Sequence, residues 1–238
     1  MAKKDKAKEK EHHKESVEII ESPEALQDQI SKSQEFAEKN KNAIAVLLTI
    51  IVVAIGGFFL YKLYLDNKEK EAQEQLFPAV FYFEKDSLNK ALQGDGNYTE
   101  GLEAVSEEYG LTKAGNLANL YAGLAYLNQG EYDQAIDVLE QFSASDYLVQ
   151  ARAYALIGDA YMEKEDFGQA ISYYKKAADY YPNEQFTPSY LLKLAVAYEA
   201  SGDLQKAVDV YEDIVNEYKT ATEVNEAKKY LAKAQASL

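Results

Sequence analysis

The chain has 238 residues, of which 47% are hydrophobic, enough apolar material for one or two folded domains. It has no cysteine and only two histidines, which excludes disulfide scaffolds, iron–sulfur clusters and cysteine-ligated zinc and argues against a histidine-rich metal site. The formal net charge of −15 argues against binding to the phosphate backbone of nucleic acids.

Residues 1–42 form a charged N-terminal tail, and their first part predicts a solvated segment without a core. Ser22 followed by Pro23 is typical of a helix start. A weak amphipathic pattern follows and predicts a short helix over residues 22–41. This helix would lie on a membrane, meet a partner helix or remain solvated.

The next segment, from Ala43 to Tyr61, contains no charged residue. As a helix it would be about 28 Å long, close to the roughly 30 Å thickness of the hydrocarbon core of a bilayer. Thr49 is its only polar residue before the terminal tyrosine. We therefore predict a transmembrane helix over residues 43–61. No small-residue cleavage site follows it, so it is expected to remain as an uncleaved anchor.

The orientation of this anchor depends on the lysines at its two ends. The counts close to the membrane are equal, and the N-terminal side has more lysines only when the whole tail is included. A long C-terminal domain crosses the membrane largely regardless of its charge, so the lysines of the short tail determine the orientation. We expect a cytoplasmic N-terminus, with the residues beyond 62 on the other side.

After a predicted tether helix over residues 62–81, the chain repeats itself over residues 82–238. A small residue, an aromatic residue three positions later, a turn and then a buried alanine recur in phase. The positions that recur in this way are Gly123, Tyr126 and Ala135, then Gly158, Tyr161 and Ala170, then Ala195, Tyr198 and Ala207. A weaker copy precedes them at Leu92, Gly96, Tyr98, Gly101 and Val105. The spacing predicts units near 82–115, 116–150, 151–187 and 188–219, followed by a capping helix over 220–238.

This pattern resembles the tetratricopeptide repeat, a helix–turn–helix unit of 34 residues. The resemblance implies an all-α solenoid, which follows the single N-terminal transmembrane helix predicted above. Each unit has a helix A and a helix B, and the recurring small and aromatic residues would pack between them. Two departures are Glu165 in place of the turn glycine and Asn89 in place of a small residue.

In this family the concave face is lined mainly by helix A. Carried over to this chain, its second, fifth, ninth and twelfth positions form the predicted protein-binding groove. These residues are Leu117, Leu120, Leu124 and Leu127, then Arg152, Ala155, Asp159 and Met162, then Ser189, Leu192, Val196 and Glu199. The alternative is that the leucines only pack against the preceding unit or the helix near residues 76–92. The lysine–asparagine clamp with which some family members hold acidic C-terminal tails is absent.

The sequence lacks the motifs of common enzymes. It contains no P-loop, no GxSxG or HExxH motif and no dinucleotide fingerprint. The tyrosines fall at packing positions of the repeat or beside them. We therefore predict a non-catalytic protein without a cofactor, a catalytic residue or a small-molecule substrate.

The arrangement of tail, anchor, tether and acidic repeat domain resembles the YfgM-type ancillary subunit of the bacterial Sec translocon. The similarity is closest from Phe83 to Leu88 and from Thr112 to Ala118. It implies a single-pass protein of the bacterial inner membrane with a periplasmic repeat domain. Its partners would be the SecYEG translocon, a PpiD-type membrane-anchored chaperone and nascent or unfolded envelope proteins, which it would assist in a chaperone-like manner. The tail is longer than in that family.

Two other functions remain open at this point. One is a tetratricopeptide scaffold in another envelope secretion or biogenesis assembly. The other is an organelle import receptor with cytosolic repeats. The sequence itself supports the broader class, a membrane-tethered protein-interaction module that concentrates a weak binding groove near its partner.

Overall fold

The computed structural model describes residues 23–238. Within this range the chain forms helices joined by turns and contains no β-strand, which confirms the all-α prediction for the described residues. The predicted cap Ser22 and the charged segment before it lie outside this range. The described helices are α1 (Pro23–Lys39), α2 (Lys41–Glu84), α3 (Leu88–Gln93), α4 (Leu102–Glu108), α5 (Lys113–Gln129), α6 (Tyr132–Gln141), α7 (Tyr147–Glu163), α8 (Phe167–Tyr180), α9 (Thr187–Ala200), α10 (Leu204–Glu217) and α11 (Val224–Gln235).

The chain divides into two compact units, one ending at Leu63 and the other running from Tyr64 to Leu238. In the first unit, helix α1 exposes Leu26, Ile30 and Phe36. An exposed ion pair joins Lys32 and Asp28 one helical turn apart, which adds only a few tenths of a kcal/mol to helix stability. The apolar stripe of α1 therefore remains uncovered.

Helix α2 contains both the predicted anchor, 43–61, and the predicted tether, 62–81. Among the described residues it is the one helix long and apolar enough to cross a membrane, and none of its most apolar stretch is buried. Large side chains such as Val53 and Leu60 are 68% and 70% exposed. The Thr49 hydroxyl donates a hydrogen bond to the carbonyl of Ala45 at 2.8 Å, so its polar group is satisfied within the helix.

The second unit consists of successive helix pairs. Helices α5 and α6, α7 and α8, and α9 and α10 form the three regular pairs, and α11 packs against α10. The regular pairs correspond to the repeat copies that the sequence shows after residue 116. The shorter helices α3 and α4 precede them.

Three tight turns close the regular pairs with a residue of positive φ. Gly130 and Gly202 have φ values of 79° and 85°, as expected where a helix ends in the left-handed conformation. Glu165 adopts the same conformation at φ 58°. The middle turn therefore keeps its shape without glycine, at a cost of about 1–2 kcal/mol for a residue with a Cβ.

Side chains cap the N-termini of most helices in the pairs. The Thr112 hydroxyl accepts from the N–H of Gly115 at the start of α5, and the Asp146 carboxylate accepts from two amides of α7. Asp166 and Asp203 each accept from one amide, at the starts of α8 and α10. Each cap satisfies amides that the helix leaves without partners and stabilises it by about 1 kcal/mol.

The first pair of helices differs from the repeat pattern. The start predicted near residue 82 lies inside α2, and an eight-residue loop over 94–101 replaces the tight turn. The Asp95 carboxylate accepts hydrogen bonds from three successive loop amides at 3.0 Å each. As a result Tyr98, which aligns with a half-buried tyrosine of the next unit, is 94% exposed.

The C-terminal part of α2 belongs to the core of the second unit. Ala72, Leu76 and Ala79 are buried and pack in one cluster with residues of α3, α4 and α5. Glu69 of α2 accepts from the N–H of Lys113 at 2.6 Å and so helps to cap α5. This part of α2 thus packs as an additional helix against the first pair.

Small residues allow close packing within the regular pairs. A Cβ on Gly123 would clash with the side chain of Leu139, and a Cβ on Gly158 would clash with the ring of Tyr174. In the third pair, Ala195 and Tyr211 are buried in a common cluster. The remaining repeat positions divide into fully buried alanines and half-buried tyrosines. The alanines are Ala135, Ala170 and Ala207, and the tyrosines are Tyr126, Tyr161 and Tyr198.

Candidate protein-interaction surface

Helices α7 and α9, the first helices of two adjacent pairs, border a cleft of about 450 Å³, here called the first cleft. Its lining mixes apolar, aromatic and charged side chains. It is lined by Leu148, Val149, Arg152, Ala155, Leu156, Asp159, Phe186, Ser189, Tyr190 and Lys193. The first cleft therefore offers both apolar contacts and charged groups to a partner.

A second cleft of about 450 Å³ adjoins the first and shares Asp159 and Lys193 with it. It is bordered by α7, α9 and α11. Its other lining residues are Met162, Glu163, Tyr174, Leu192, Val196, Glu226 and Tyr230. Apolar side chains lie inside this second cleft together with two glutamates.

The structure brings together most of the groove residues predicted in the third and fourth units. Arg152, Ala155, Asp159 and Ser189 line the first cleft. Met162, Leu192 and Val196 line the second. Helical spacing places these residues on one face of α7 and α9, which is why the repeat frame identifies them together.

The four leucines predicted in the second unit lie elsewhere. Leu120 and Leu127 are half-buried and pack against a cluster formed by α6 and α7. Leu124 is half-buried and Leu117 is 37% exposed. None of the four lines either cleft. Part of this set therefore packs against α6 of its own pair and α7 of the next, where the sequence alone allowed the preceding unit or the helix near 76–92.

Glu199, the last predicted groove residue, lies outside both clefts. Its Oε1 atom is buried without a hydrogen-bond partner among the described residues. The Nζ of Lys233 is 3.9 Å from its Oε2. Glu199 thus contacts the region between α9 and α11 and does not face the clefts.

An ion pair separates the two clefts. The Nζ of Lys193 lies 2.6 Å from Oδ1 of Asp159, and the Tyr174 hydroxyl donates to the same oxygen at 2.7 Å. Burial, together with the nearby Asp159 carboxylate, raises the pKa of Tyr174 well above its usual value. Tyr174 therefore remains a neutral hydrogen-bond donor and fixes the position of Asp159.

Several residues of the clefts escaped the sequence prediction. Phe186 and Tyr190 belong to the first cleft, and Tyr230 reaches the second from α11. Phe186 precedes α9 and Tyr230 lies beyond the last repeat copy, so the repeat frame gives them no position. Lys193 directly follows the predicted Leu192, and its pairing with Asp159 depends on how α7 and α9 pack.

The described residues contain no group of three or more histidine, aspartate or glutamate side chains that could hold a metal ion. Aromatic side chains, methionine and arginine are enriched in protein-binding surfaces, and the clefts contain all three, among them Tyr190, Met162 and Arg152.

Comparison with known proteins identifies the repeat. The family model of the tetratricopeptide repeat matches residues 90–146, 120–185 and 155–223, which together span more than half of the chain. The predicted tetratricopeptide repeats are thereby confirmed. A search of curated proteins found no match. The matched model describes the repeat and not the translocon-subunit type, so that part of the resemblance stays a prediction.

Solved structures show the same fold. The chain is similar to TPR-like repeats of a kinesin light chain from Podosopora anserina, with 18% identity and a TM-score of 0.54, over 70% of this chain and 86% of that one. A substituted variant of those repeats gives 19% identity and the same TM-score, over 70% and 85% of the two chains. At this identity the similarity concerns the fold alone.

Proposed function

We propose, since the chain belongs to the tetratricopeptide-repeat family, that it is a membrane-anchored, non-catalytic module that binds other proteins. A fold of this kind is typically a protein-interaction scaffold. The observation that carries the proposal is the pair of adjoining clefts along α7 and α9, whose apolar and charged side chains remain uncovered. Such a lining can bind the alternating side chains of an extended polypeptide segment.

Membrane anchoring is supported by the uncovered apolar surface of α2. Side chains such as Val53 are exposed over the whole length expected of a membrane span, and water disfavours a continuous apolar surface of this size. A bilayer would cover it and would satisfy the length rule for a spanning helix.

Alkaline extraction of membranes tests the anchor. In a chain carrying Ile51→Lys and Ile55→Lys, two lysines near the bilayer centre cost about 5–7 kcal/mol of insertion free energy. The variant is expected to leave the membrane fraction. Phe77→Lys is the matched control, because Phe77 is 76% exposed in the same helix but outside the apolar stretch. If the double variant stays as firmly membrane-bound as the control, the prediction of a membrane anchor in this stretch is wrong.

Within this class, we infer the role of an ancillary subunit of the Sec translocon. The support is the sequence resemblance to the YfgM type. This resemblance implies the inner-membrane location, the SecYEG and PpiD-type partners and the unfolded envelope clients. Protease added to spheroplasts should digest the repeat domain if this domain is periplasmic. Digestion only in inverted membrane vesicles would show that the repeat domain is cytoplasmic and that the predicted orientation is wrong.

Affinity purification of the full-length chain from solubilised membranes tests the partners. Recovery of translocon subunits supports the Sec role, whereas recovery of another envelope assembly favours the alternative scaffold. Val196→Glu, in the second cleft, should lower partner recovery about tenfold or more, because a charge buried without a partner costs more than 1.4 kcal/mol of binding free energy. Phe77→Glu should leave recovery unchanged. Equal recovery by the two variants would show that the partner binds elsewhere.

A further inference from the structure

Arg152 is the single arginine of the chain, whose other basic residues are lysines. It lies on α7, in the first cleft, and its side chain is exposed. Among the described residues no carboxylate lies within 4.0 Å of it, whereas the neighbouring Lys193 is already paired with Asp159. The first cleft therefore contains one cation that no carboxylate of residues 23–238 neutralises.

The chemistry of this cation restricts what it binds. A guanidinium group presents a planar fork of N–H donors that matches a carboxylate with two parallel hydrogen bonds. Leu148 and Phe186 of the first cleft are 41% and 36% exposed. They offer apolar contact to the methylene groups of an acidic side chain. Their presence next to Arg152 favours an aspartate or glutamate within a peptide over a small hydrated anion.

The continuity of the two clefts favours an extended segment. Arg152 and Met162 lie ten residues apart on α7, about 15 Å along the helix axis. An extended chain rises about 3.3 Å per residue, so four or five residues span this distance. The second cleft contains Met162, Leu192 and Val196 for an apolar side chain, while Glu163 and Glu226 at the same place repel a second carboxylate.

We propose that the clefts bind an extended partner segment whose internal acidic side chain pairs with Arg152 and whose apolar side chain, four or five residues away, enters the second cleft. This inference rests on the proposed function and specifies the chemistry of the partner. We assign the acidic group to a side chain, because a segment that pairs with Arg152 in the first cleft and reaches the second must continue past the ion pair of Asp159 and Lys193 that both clefts share.

The acidic surface of the repeat domain disfavours partner segments that carry several acidic residues. Residues 62–238 carry 16 basic and 30 acidic residues, so a partner with many carboxylates is repelled at long range. One acidic residue among uncharged ones minimises this repulsion and still supplies the carboxylate for Arg152. The expected segment is therefore nearly neutral apart from that residue.

Fluorescence anisotropy with the full-length chain in detergent micelles tests the proposal. The probes are fluorescent peptides of serine and threonine, blocked at both ends, that carry one glutamate and one leucine four or five positions apart. A second set has glutamine in place of the glutamate. A third set has glutamine and a free C-terminal carboxylate.

We expect the glutamate peptides to bind more tightly than the glutamine peptides. Arg152→Gln should weaken binding of the glutamate peptides about tenfold or more, because a charge-assisted pair contributes about 1.5–3 kcal/mol, and should weaken binding of the glutamine peptides less. Arg152→Lys should recover only part of the loss, since lysine lacks the planar fork. Lys175→Gln is the matched control, because it removes an exposed positive charge on α8 without an ion pair among the described residues.

Three results would overturn the proposal. Equal binding of the glutamate and glutamine peptides, or an equal effect of Arg152→Gln and Lys175→Gln, would show that Arg152 selects no carboxylate. Preference for the free C-terminal carboxylate would assign the site to chain ends. Absence of binding by every probe would show that the clefts do not bind extended segments of this composition. Partner recovery by affinity purification would still test the proposed function separately.

Discussion

Replacing Gly158 with alanine should destabilise the repeat array, because α7 and α8 leave no space for a methyl group. An added Cβ would lie 2.6 and 2.7 Å from two ring carbons of Tyr174, whereas ordinary contacts begin at 3.4 Å. The ring would have to withdraw by roughly 0.8 Å, the difference between 3.4 and 2.6 Å. Tyr174 is 3% exposed and its hydroxyl is bonded to Asp159 at 2.7 Å, so this shift disturbs packing and a hydrogen bond together.

Two opposing effects determine the size of the change. Overpacking of a filled core costs about 1–3 kcal/mol, while alanine has a helix propensity up to about 1 kcal/mol better than glycine. The free energy of unfolding should therefore fall by about 1 kcal/mol. The effect of propensity is separated from packing by Gly168→Ala. Gly168 lies in the first turn of α8, and its added Cβ would have its nearest neighbour at 3.7 Å.

Denaturant unfolding of the full-length chain in detergent, followed by far-UV circular dichroism, measures both variants. Gly168→Ala should be neutral or slightly stabilising, so the two variants should differ by about 1–3 kcal/mol. If the Gly158→Ala chain unfolds at the same denaturant concentration as the Gly168→Ala chain, the close approach of Tyr174 to α7 is wrong.

Three further predictions concern single side chains. Tyr174→Phe should lower the free energy of unfolding by about 1–2 kcal/mol through its lost bond to Asp159, while Tyr211→Phe should cause no loss, since the Tyr211 hydroxyl has no protein partner among the described residues; equal losses in the two melts would contradict this reasoning. Leu120→Glu should lower the thermal midpoint more than Leu124→Glu does, because the first leucine packs against the cluster between α6 and α7; the reverse order would show that this packing is absent. The three amide hydrogen bonds lower the pKa of Asp95 from 3.8 to about 2, so its contribution to loop stability is complete above pH 3.8 and is lost as the pH falls towards 2. Protection factors of the amides in this loop, corrected for the pH dependence of intrinsic exchange, should fall over that interval, and Asp95→Asn should abolish this fall; an unchanged acid profile in the variant would exclude the carboxylate as its cause.

The regular helix pairs could be predicted because their close packing leaves a periodic trace in the sequence. Gly123 and Gly158 must be small where a bulky residue of the next helix approaches, and such a residue recurs in each unit. Fully buried alanines such as Ala170 recur for the same reason. Periodicity therefore locates both helices of a pair and the face of α7 and α9 that borders the clefts.

Other features depend on contacts between distant residues and leave no periodic trace. Glu69 caps α5 from α2, more than forty positions earlier. The loop over 94–101 interrupts the first unit through the hydrogen bonds of Asp95, although its aligned residues resemble those of a tight turn. The turn at Glu165 shows the reverse case, since the left-handed conformation persists where glycine is missing.

The composition of the clefts could be predicted only in part. The repeat frame selects Arg152 and Asp159 as neighbours on one helix face. It does not show that Lys193 neutralises Asp159 and that Arg152 has no carboxylate partner within residues 23–238. The packing of α7 against α9, whose paired residues are more than thirty positions apart in the chain, determines which charged side chain is paired within the protein and which is not.

From α3 onward, the main contacts of each helix are with helices one or two places away along the chain. Such a molecule can fold one helix pair at a time, because each pair depends mainly on contacts between neighbouring segments. Local unfolding at one end need not extend to the other end. The short α3 and α4, with the eight-residue loop between them, form the first pair of this array. The clefts lie two pairs further on, so a local opening of the first pair need not reach them.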